Sequence, residues 1–184
     1  MVFGLVFLAV IVIFFLASVS IYNNLVSFRE NVKNGWSQID VQLKRRHDLI
    51  PNLVETAKGY IAHERETLEK VIKARSQAID ARSLTDKQAA ENILTGTLRS
   101  LFAVVENYPN LKADRQMMQL HEEITSTENK IAFARQYYND EVNRLNTAVQ
   151  SFPNSIIAQM GGFIRADFFE IKDLSEKEAP QVKF

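Results

Sequence analysis

Apolar residues fill the start of the chain without interruption. Residues 2–22 read VFGLVFLAVIVIFFLASVSIY, and no charged side chain precedes Arg29. About 20 apolar residues can cross a ~30 Å hydrocarbon layer as a helix, and Tyr22 stands where an interfacial aromatic side chain is typical. A cleaved signal peptide is the main alternative, but this segment has no basic start and a longer apolar run. We therefore predict an uncleaved transmembrane anchor over residues 1–22.

After the anchor, apolar residues recur every three or four positions, which is the spacing of a helix that packs on a partner. This stripe begins at Leu25 and continues to Ile72. The sequence therefore predicts one long helix from the membrane to about Arg82.

A polar stretch then separates this helix from a second one. Thr85 with Gln88 three residues later fits a capping box. The second helix is predicted to run to about Asn107, because the Tyr108-Pro109 pair disfavours further helix.

The third helix is predicted to begin after Asp114, a good N-cap residue, and to end at Pro153. Its apolar positions form a nearly continuous heptad seam: Met117, Leu120, Ile124, Thr127, Ile131, Ala134, Tyr138, Val142, Leu145, Val149 and Phe152. A short helix over residues 154–160 should follow, stopped by Gly161-Gly162.

These elements predict an all-α protein: an N-terminal transmembrane helix followed by a long antiparallel helical bundle of three long helices and a short C-terminal helix. A non-helical aromatic strip should follow the bundle, made of Phe163, Ile164, Phe168, Phe169 and Ile171. The predicted domains are the anchor (1–22), the bundle (23–172) and a flexible charged tail (173–184).

The predicted helix lengths leave part of helix one uncovered. At 1.5 Å per residue, its part outside the membrane spans about 88 Å, against about 33 Å and 58 Å for helices two and three. The stripe from Leu25 to Leu43 then has no partner in the same chain, and exposed apolar stripes usually meet another molecule. We expect a homo-oligomer or a partner helix here, at a surface formed by Trp36, Ile39, Leu43, Lys44, Arg45 and Arg46.

Charge and composition narrow the function further. The chain has 184 residues, 22 basic and 22 acidic, and no cysteine. Zero net charge argues against a nucleic-acid partner, and the lack of cysteine excludes disulfides. The basic run at residues 44–46 is interpreted as a solvated helix face or a docking site for an acidic partner.

No arrangement of residues indicates catalysis or a cofactor. His63-Glu64 begins like a zinc-protease motif, but Thr67 stands where the second histidine ligand would be. No Glu-x-x-His pair for a di-iron site is present. We therefore expect no enzyme activity, no metal and no cofactor; an unrecognised hydrolase or metal enzyme is the alternative.

Two blocks in the predicted first helix resemble the LemA family: residues 34–46 (NGWSQIDVQLKRR) and 48–54 (DLIPNLV). The similarity continues through FAVVE at 102–106, AFAR at 132–135 and Phe152-Pro153. It covers about residues 20–170. Alanine often stands at position 35 in similar proteins, where this chain has Gly35.

The resemblance implies a bacterial or archaeal membrane protein with an N-terminal anchor and a helical bundle, without an established biochemical activity. We expect a non-enzymatic scaffold or adaptor that organises membrane-associated partners. Because family genes often stand near membrane metalloproteases, an adaptor for such a protease is an alternative. Arg29 and Lys33 after the anchor favour a cytoplasmic bundle at the bacterial cytoplasmic membrane.

Overall fold

The computed structural model describes residues 2–61 and 64–169 of the chain. Every regular element in these ranges is helical, which confirms the all-α prediction. The helices are α1 (Val2–Lys58), α2 (Arg65–Asp80), α3 (Leu84–Val105), α4 (Pro109–Lys112), α5 (Arg115–Gln150) and α6 (Asn154–Met160).

The prediction of one helix from the membrane to Arg82 is wrong, because α1 ends at Lys58 and α2 begins at Arg65. Gly59 follows the last residue of α1 and is the poorest helix former after proline. The backbone N–H groups of Tyr60 and Ile61 both donate to the Ala57 carbonyl, at 3.0 and 3.1 Å, and close the helix end. The apolar spacing continues across the break between α1 and α2, so the sequence pattern does not reveal the break.

The caps of the middle helices are partly as predicted. Helix α3 is capped by Ser83 and not by Thr85: the Ser83 hydroxyl accepts a hydrogen bond from the backbone N–H of Asp86, at 3.0 Å. Asp114 caps α5 as expected, since its carboxylate accepts from the backbone N–H of Met117 at 2.9 Å.

The seam predicted along α5 faces the protein interior over most of its length. Nine of its positions, from Met117 to Leu145, are buried, whereas Phe152 is exposed in the turn beyond the helix. The short helix α6 has the predicted bounds, and Gly162 ends the turn after it with a φ of 68°. The aromatic strip is non-helical as far as Phe169; Ile171 and the predicted tail lie outside the described residues.

The described residues form two compact units. Unit one contains residues 2–46 and 125–168, and unit two contains the described residues of 47–124 together with Phe169. In unit two, α2 and α3 pack on each other around an apolar core that includes Ile50, Leu53, Val71, Leu94, Leu101 and Leu111.

In unit one, α1 and α5 run antiparallel. Successive contacts pair rising positions on α1 with falling positions on α5: Asn31 with Glu141, Trp36 with Tyr138, and Arg46 with Glu128. From Trp36 to Arg46 the step is ten residues on both helices, and from Asn31 to Trp36 it is five residues on α1 against three on α5, so the register shifts by no more than about two residues along this length.

The expectation that the stripe from Leu25 to Leu43 lacks an intrachain partner is therefore wrong. Leu25, Ile39 and Leu43 are buried in unit one. Helix lengths leave the stripe uncovered only if α1 and α2 are one continuous helix, and they are two. Since unit two has a separate core, the second half of α5 is left to cover this part of α1.

Helix α1 is long and apolar enough at its N-terminal end to cross a membrane, and no other helix among the described residues is. The apolar side chains there, such as Phe7 and Phe14, are exposed, and none of this apolar window is buried by other described residues. This agrees with association of the chain with a membrane.

Candidate partner-binding groove

The six residues predicted as an assembly surface lie on different sides of α1. Ile39, Leu43 and Arg46 are buried in unit one, Trp36 is half-buried, and Lys44 and Arg45 are exposed. A helix turns by about 100° per residue, so consecutive positions cannot share one face. Only Trp36, Lys44 and Arg45 of the six are reached by solvent.

Trp36 on α1 packs against Tyr138 on α5. Its ring meets the ring of Tyr138 edge-on, with centroids 5.7 Å apart. The Tyr138 hydroxyl donates to the backbone carbonyl of Asp167 at 2.9 Å. Burial, and then the nearby Asp167 carboxylate, raise the pKa of the Tyr138 phenol.

Arg46 is a structural residue and not part of a basic surface. Its side chain is fully buried and forms an ion pair with Glu128 on α5. A buried guanidinium needs such partners, because removing a charge from water is otherwise costly. The basic run read from the sequence thus contributes only Lys44 and Arg45 to the surface.

Beside these residues, α1 and α5 form a groove with a volume of about 710 Å³. Helix α1 contributes five side chains and α5 contributes four. The lining residues are Asn34, Ser37, Gln38 and Val41 with Gln42 on α1, and Lys130, Phe133, Ala134 and Tyr137 on α5. We call this the α1–α5 groove.

The middle of the groove is apolar and faces solvent. Phe133 is 71% exposed and Val41 is 62% exposed. The register of the two helices places these side chains at the same level, that is, at the same height along the α1–α5 pair. An exposed phenylalanine beside an exposed valine is the kind of apolar patch that binds another protein surface.

One end of the groove is basic. Lys130 lines the groove, and the register of α1 against α5 places Lys44 at the level of Lys130. Both side chains are exposed. Two ammonium groups at this end would attract a carboxylate on a bound segment.

Gly35 allows the two helices to approach closely behind the groove. A Cβ atom at Gly35 would lie 3.1 Å from the Tyr138 Cα and 3.4 Å from the Tyr137 ring. Tyr137 lines the groove, so this close approach sets the distance between its walls.

The histidines give no sign of a metal centre in the described residues. His47 pairs with the buried Glu91 at 2.8 Å, and His121 stacks on the ring of Phe102. His63 lies outside the described residues. Within residues 2–61 and 64–169, no three His, Asp or Glu side chains are grouped so that they could hold a metal ion.

The sequence pattern did not predict the α1–α5 groove, although the position of Phe133 indicates one of its residues. Phe133 lies outside the apolar seam of α5, and an off-seam phenylalanine on a long helix indicates an exposed apolar side chain. Its level relative to Val41 depends on the register of α1 and α5, which the sequence did not supply.

Over its described residues the chain is an all-helical protein with one candidate membrane-spanning helix. The family model of LemA ("LemA family") matches residues 35–184. The chain therefore belongs to the LemA family, which confirms the resemblance seen in its sequence.

Individual relatives agree with this assignment. The chain is 27% identical over 176 residues to Protein LemA of Metamycoplasma hominis, covering 94% of this chain and 79% of the relative. It is 24% identical to Magnetosome protein MamQ 2 of Paramagnetospirillum magneticum and 23% identical to Magnetosome protein MamQ of Magnetospirillum gryphiswaldense. Both matches cover 82% of this chain, which spans 65% of each of these two relatives.

Proposed function

We propose that the protein is a membrane-anchored scaffold or adaptor that acts by binding, without catalysis. In this proposal residues 2–22 fix the chain in the bilayer, and the α1–α5 groove holds an amphipathic helix of another membrane-associated protein. The observation that carries the proposal is the exposure of Phe133 and Val41 at one level of a two-helix groove.

The chemistry of the groove indicates what the partner segment should be. Helices that dock in grooves present apolar anchors at three- and four-residue spacing. The Phe133–Val41 level suits such an anchor, and the Lys44–Lys130 level suits a carboxylate about one or two turns away. The expected occupant is a helix with an apolar face and acidic residues toward one end.

The same charges argue against two copies pairing through their grooves. Two chains anchored in one membrane point in the same direction, so equal levels of each chain would meet. Lys130 of one copy would then face Lys130 of the other, and like charges at an interface are unfavourable. The homo-oligomer predicted from the sequence stays a prediction, which light scattering in detergent would test.

The relatives support a structural role only in a general way. MamQ is named as a magnetosome protein, after a cellular structure and not after a reaction. An adaptor for a membrane protease would use the same groove and differs only in the identity of the partner. A hydrolase, in contrast, would need a substrate site elsewhere on the chain.

Site-specific photo-cross-linking in native membranes tests the proposal. A photoreactive benzoylphenylalanine replaces Phe133 in the full chain, and a matched control carries it at Ile93, which is also exposed but lies on α3 in unit two. We expect a discrete heterologous product from position 133 and none from position 93. Adding Lys130→Glu should reduce that product several-fold, because it reverses one of the two charges at the basic end.

Mapping the cross-linked peptide completes the test. We expect it to lie in an amphipathic segment with acidic residues. Identical products from both positions, products unaffected by Lys130→Glu, or a product containing only a second copy of this chain would each contradict the proposal.

A further inference from the structure

The turn after α5 and helix α6 expose a group of apolar side chains that no element of unit one covers. Phe152 and Met160 are each 82% exposed and Ile164 is 80% exposed, with Ile156 also exposed between them. Residues 145–164 carry no charged side chain. We call Phe152, Ile156, Met160 and Ile164 the apolar tip.

The opposite side of α6 packs on α1 immediately after the candidate membrane span. Ala158 and Phe163 form a buried cluster with Leu25 and Ala148. The Phe163 ring also meets the ring of Tyr22, with centroids 5.5 Å apart. Helix α6 is therefore attached to α1 where the apolar segment ends.

The register of α1 against α5 independently places the end of α5 beside the end of the apolar segment of α1. Three contacts define this register: Arg46–Glu128, Trp36–Tyr138 and Asn31–Glu141. Continuing it along both helices places Gln150, at the C-terminal end of α5, beside about residue 23 of α1. Helix α5 therefore points toward the end of the membrane span, and the turn that holds Phe152 comes directly after it.

Two arginine side chains, those of Arg29 and Arg165, lie near the apolar tip. The guanidinium of Arg29 lies 5.0 Å from the centre of the Phe163 ring. Arg29 is seven residues past Tyr22 on α1, farther from the candidate span. Arg165 follows the tip directly and is exposed. Arginines at this depth reach the phosphate groups of lipids while their stems cover apolar surface.

We infer that the apolar tip is a second membrane contact, inserted into the headgroup and acyl boundary of the bilayer that holds residues 2–22. Interfacial segments of this kind bury their apolar side chains by about 5–10 Å. Leu25 lies about 5 Å along the helix beyond Tyr22, so the tip is within reach of that boundary. The inference depends on the anchor and is independent of the α1–α5 groove.

Two attachments would restrict the orientation of unit one on the membrane. A single helix lets the attached unit tilt and rotate, whereas a second contact at the end of α5 holds α1 and α5 at a fixed angle to the bilayer. The α1–α5 groove would then be presented to neighbouring membrane proteins at a defined height.

Single-cysteine labelling of the full chain tests this inference, and the chain contains no cysteine that would interfere. Phe152→Cys and Met160→Cys carry an environment-sensitive fluorophore in vesicles of phosphatidylcholine and phosphatidylglycerol. Val41→Cys is the matched aqueous control, exposed on the same unit about 28 Å farther along α1 than Tyr22. Val12→Cys reports whether the span itself is in the bilayer.

We expect quenching by spin-labelled lipids at positions 152 and 160 to be about twofold or more greater than at position 41, and quenching by aqueous iodide to show the reverse order. If positions 152 and 160 behave like position 41 while position 12 is quenched by lipid, the tip is not a membrane contact. Protection from both quenchers at 152 and 160 would show that protein covers the tip, which also overturns the inference. Failure at position 12 would overturn the anchor as well.

Discussion

At the scale of single residues, Gly35 links helix stability to helix packing. Glycine inside a helix costs about 0.5–1 kcal/mol relative to alanine, because more backbone freedom is lost on folding. A Cβ at this position would meet the Tyr138 Cα at 3.1 Å, and a backbone atom cannot swing aside. Alanine at position 35 would therefore increase helix propensity, but its methyl group would push α1 away from α5.

Gly96 provides a matched control for this balance. It lies within α3, and a Cβ there would meet no described heavy atom within 4 Å. We expect Gly96→Ala to raise the free energy of unfolding by about 0.5–1 kcal/mol, and Gly35→Ala to raise it by less or to lower it. Thermal or denaturant unfolding of the two variants in detergent measures the difference. An equal gain at both positions would show that α1 and α5 do not approach closely at Gly35.

Residues 36–46 of α1 show that neighbours in the sequence need not share one surface. Trp36, Lys44 and Arg46 stand in one compact block of the sequence, which predicts a single surface for them. The structure gives Arg46 to the interior and leaves Lys44 exposed. Which arginine pairs with Glu128 depends on the register of two helices, and composition alone does not contain that information.

At the scale of elements, the N-terminus of α5 depends on the charge of Asp114. The hydrogen bond from the Met117 backbone N–H holds the pKa of Asp114 below its usual value, and the Tyr60 hydroxyl, which donates at 3.0 Å, adds to the effect. Because the folded-state pKa is the lower one, the carboxylate stabilises the fold above the unfolded-state pKa of about 3.9. That stability is lost as pH falls through the folded-state pKa.

Asp114→Asn isolates this charge, because asparagine keeps a side-chain oxygen that can cap the helix. We expect the variant to unfold at a lower temperature than the wild type at neutral pH, and the difference to shrink as the pH is lowered below about 4. Thermal unfolding followed by circular dichroism across this range measures it. A difference that stays constant with pH would show that the Asp114 charge does not contribute.

Elements with strong local signals were predictable from the sequence. The cap at Asp114, the buried seam of α5 and the bounds of α6 all follow from short-range chemistry and periodicity. The break between α1 and α2 was not, because Ile61 and Leu68 continue the apolar spacing and are both buried. A periodic pattern reports which face is buried and not whether the backbone is continuous.

At the scale of the whole molecule, the candidate membrane-spanning helix and the family could be predicted from the sequence, but the division into two units could not. Two cores arise because the end of α1, α2, α3 and the start of α5 form one cluster, while the rest of α5 covers α1 as far as Arg46. The α1–α5 groove and the apolar tip both result from that division. Each depends on long-range register, which local patterns do not specify.

Both the proposed scaffold role and the second membrane contact require that residues 2–22 remain on the chain and in the bilayer. Intact-mass spectrometry of the chain extracted from its native membrane tests this requirement most directly. The account predicts a membrane-bound chain whose mass includes residues 2–22. A mature chain that lacks them, released by cleavage near Ser18 or Ser20 as in a signal peptide, would contradict it.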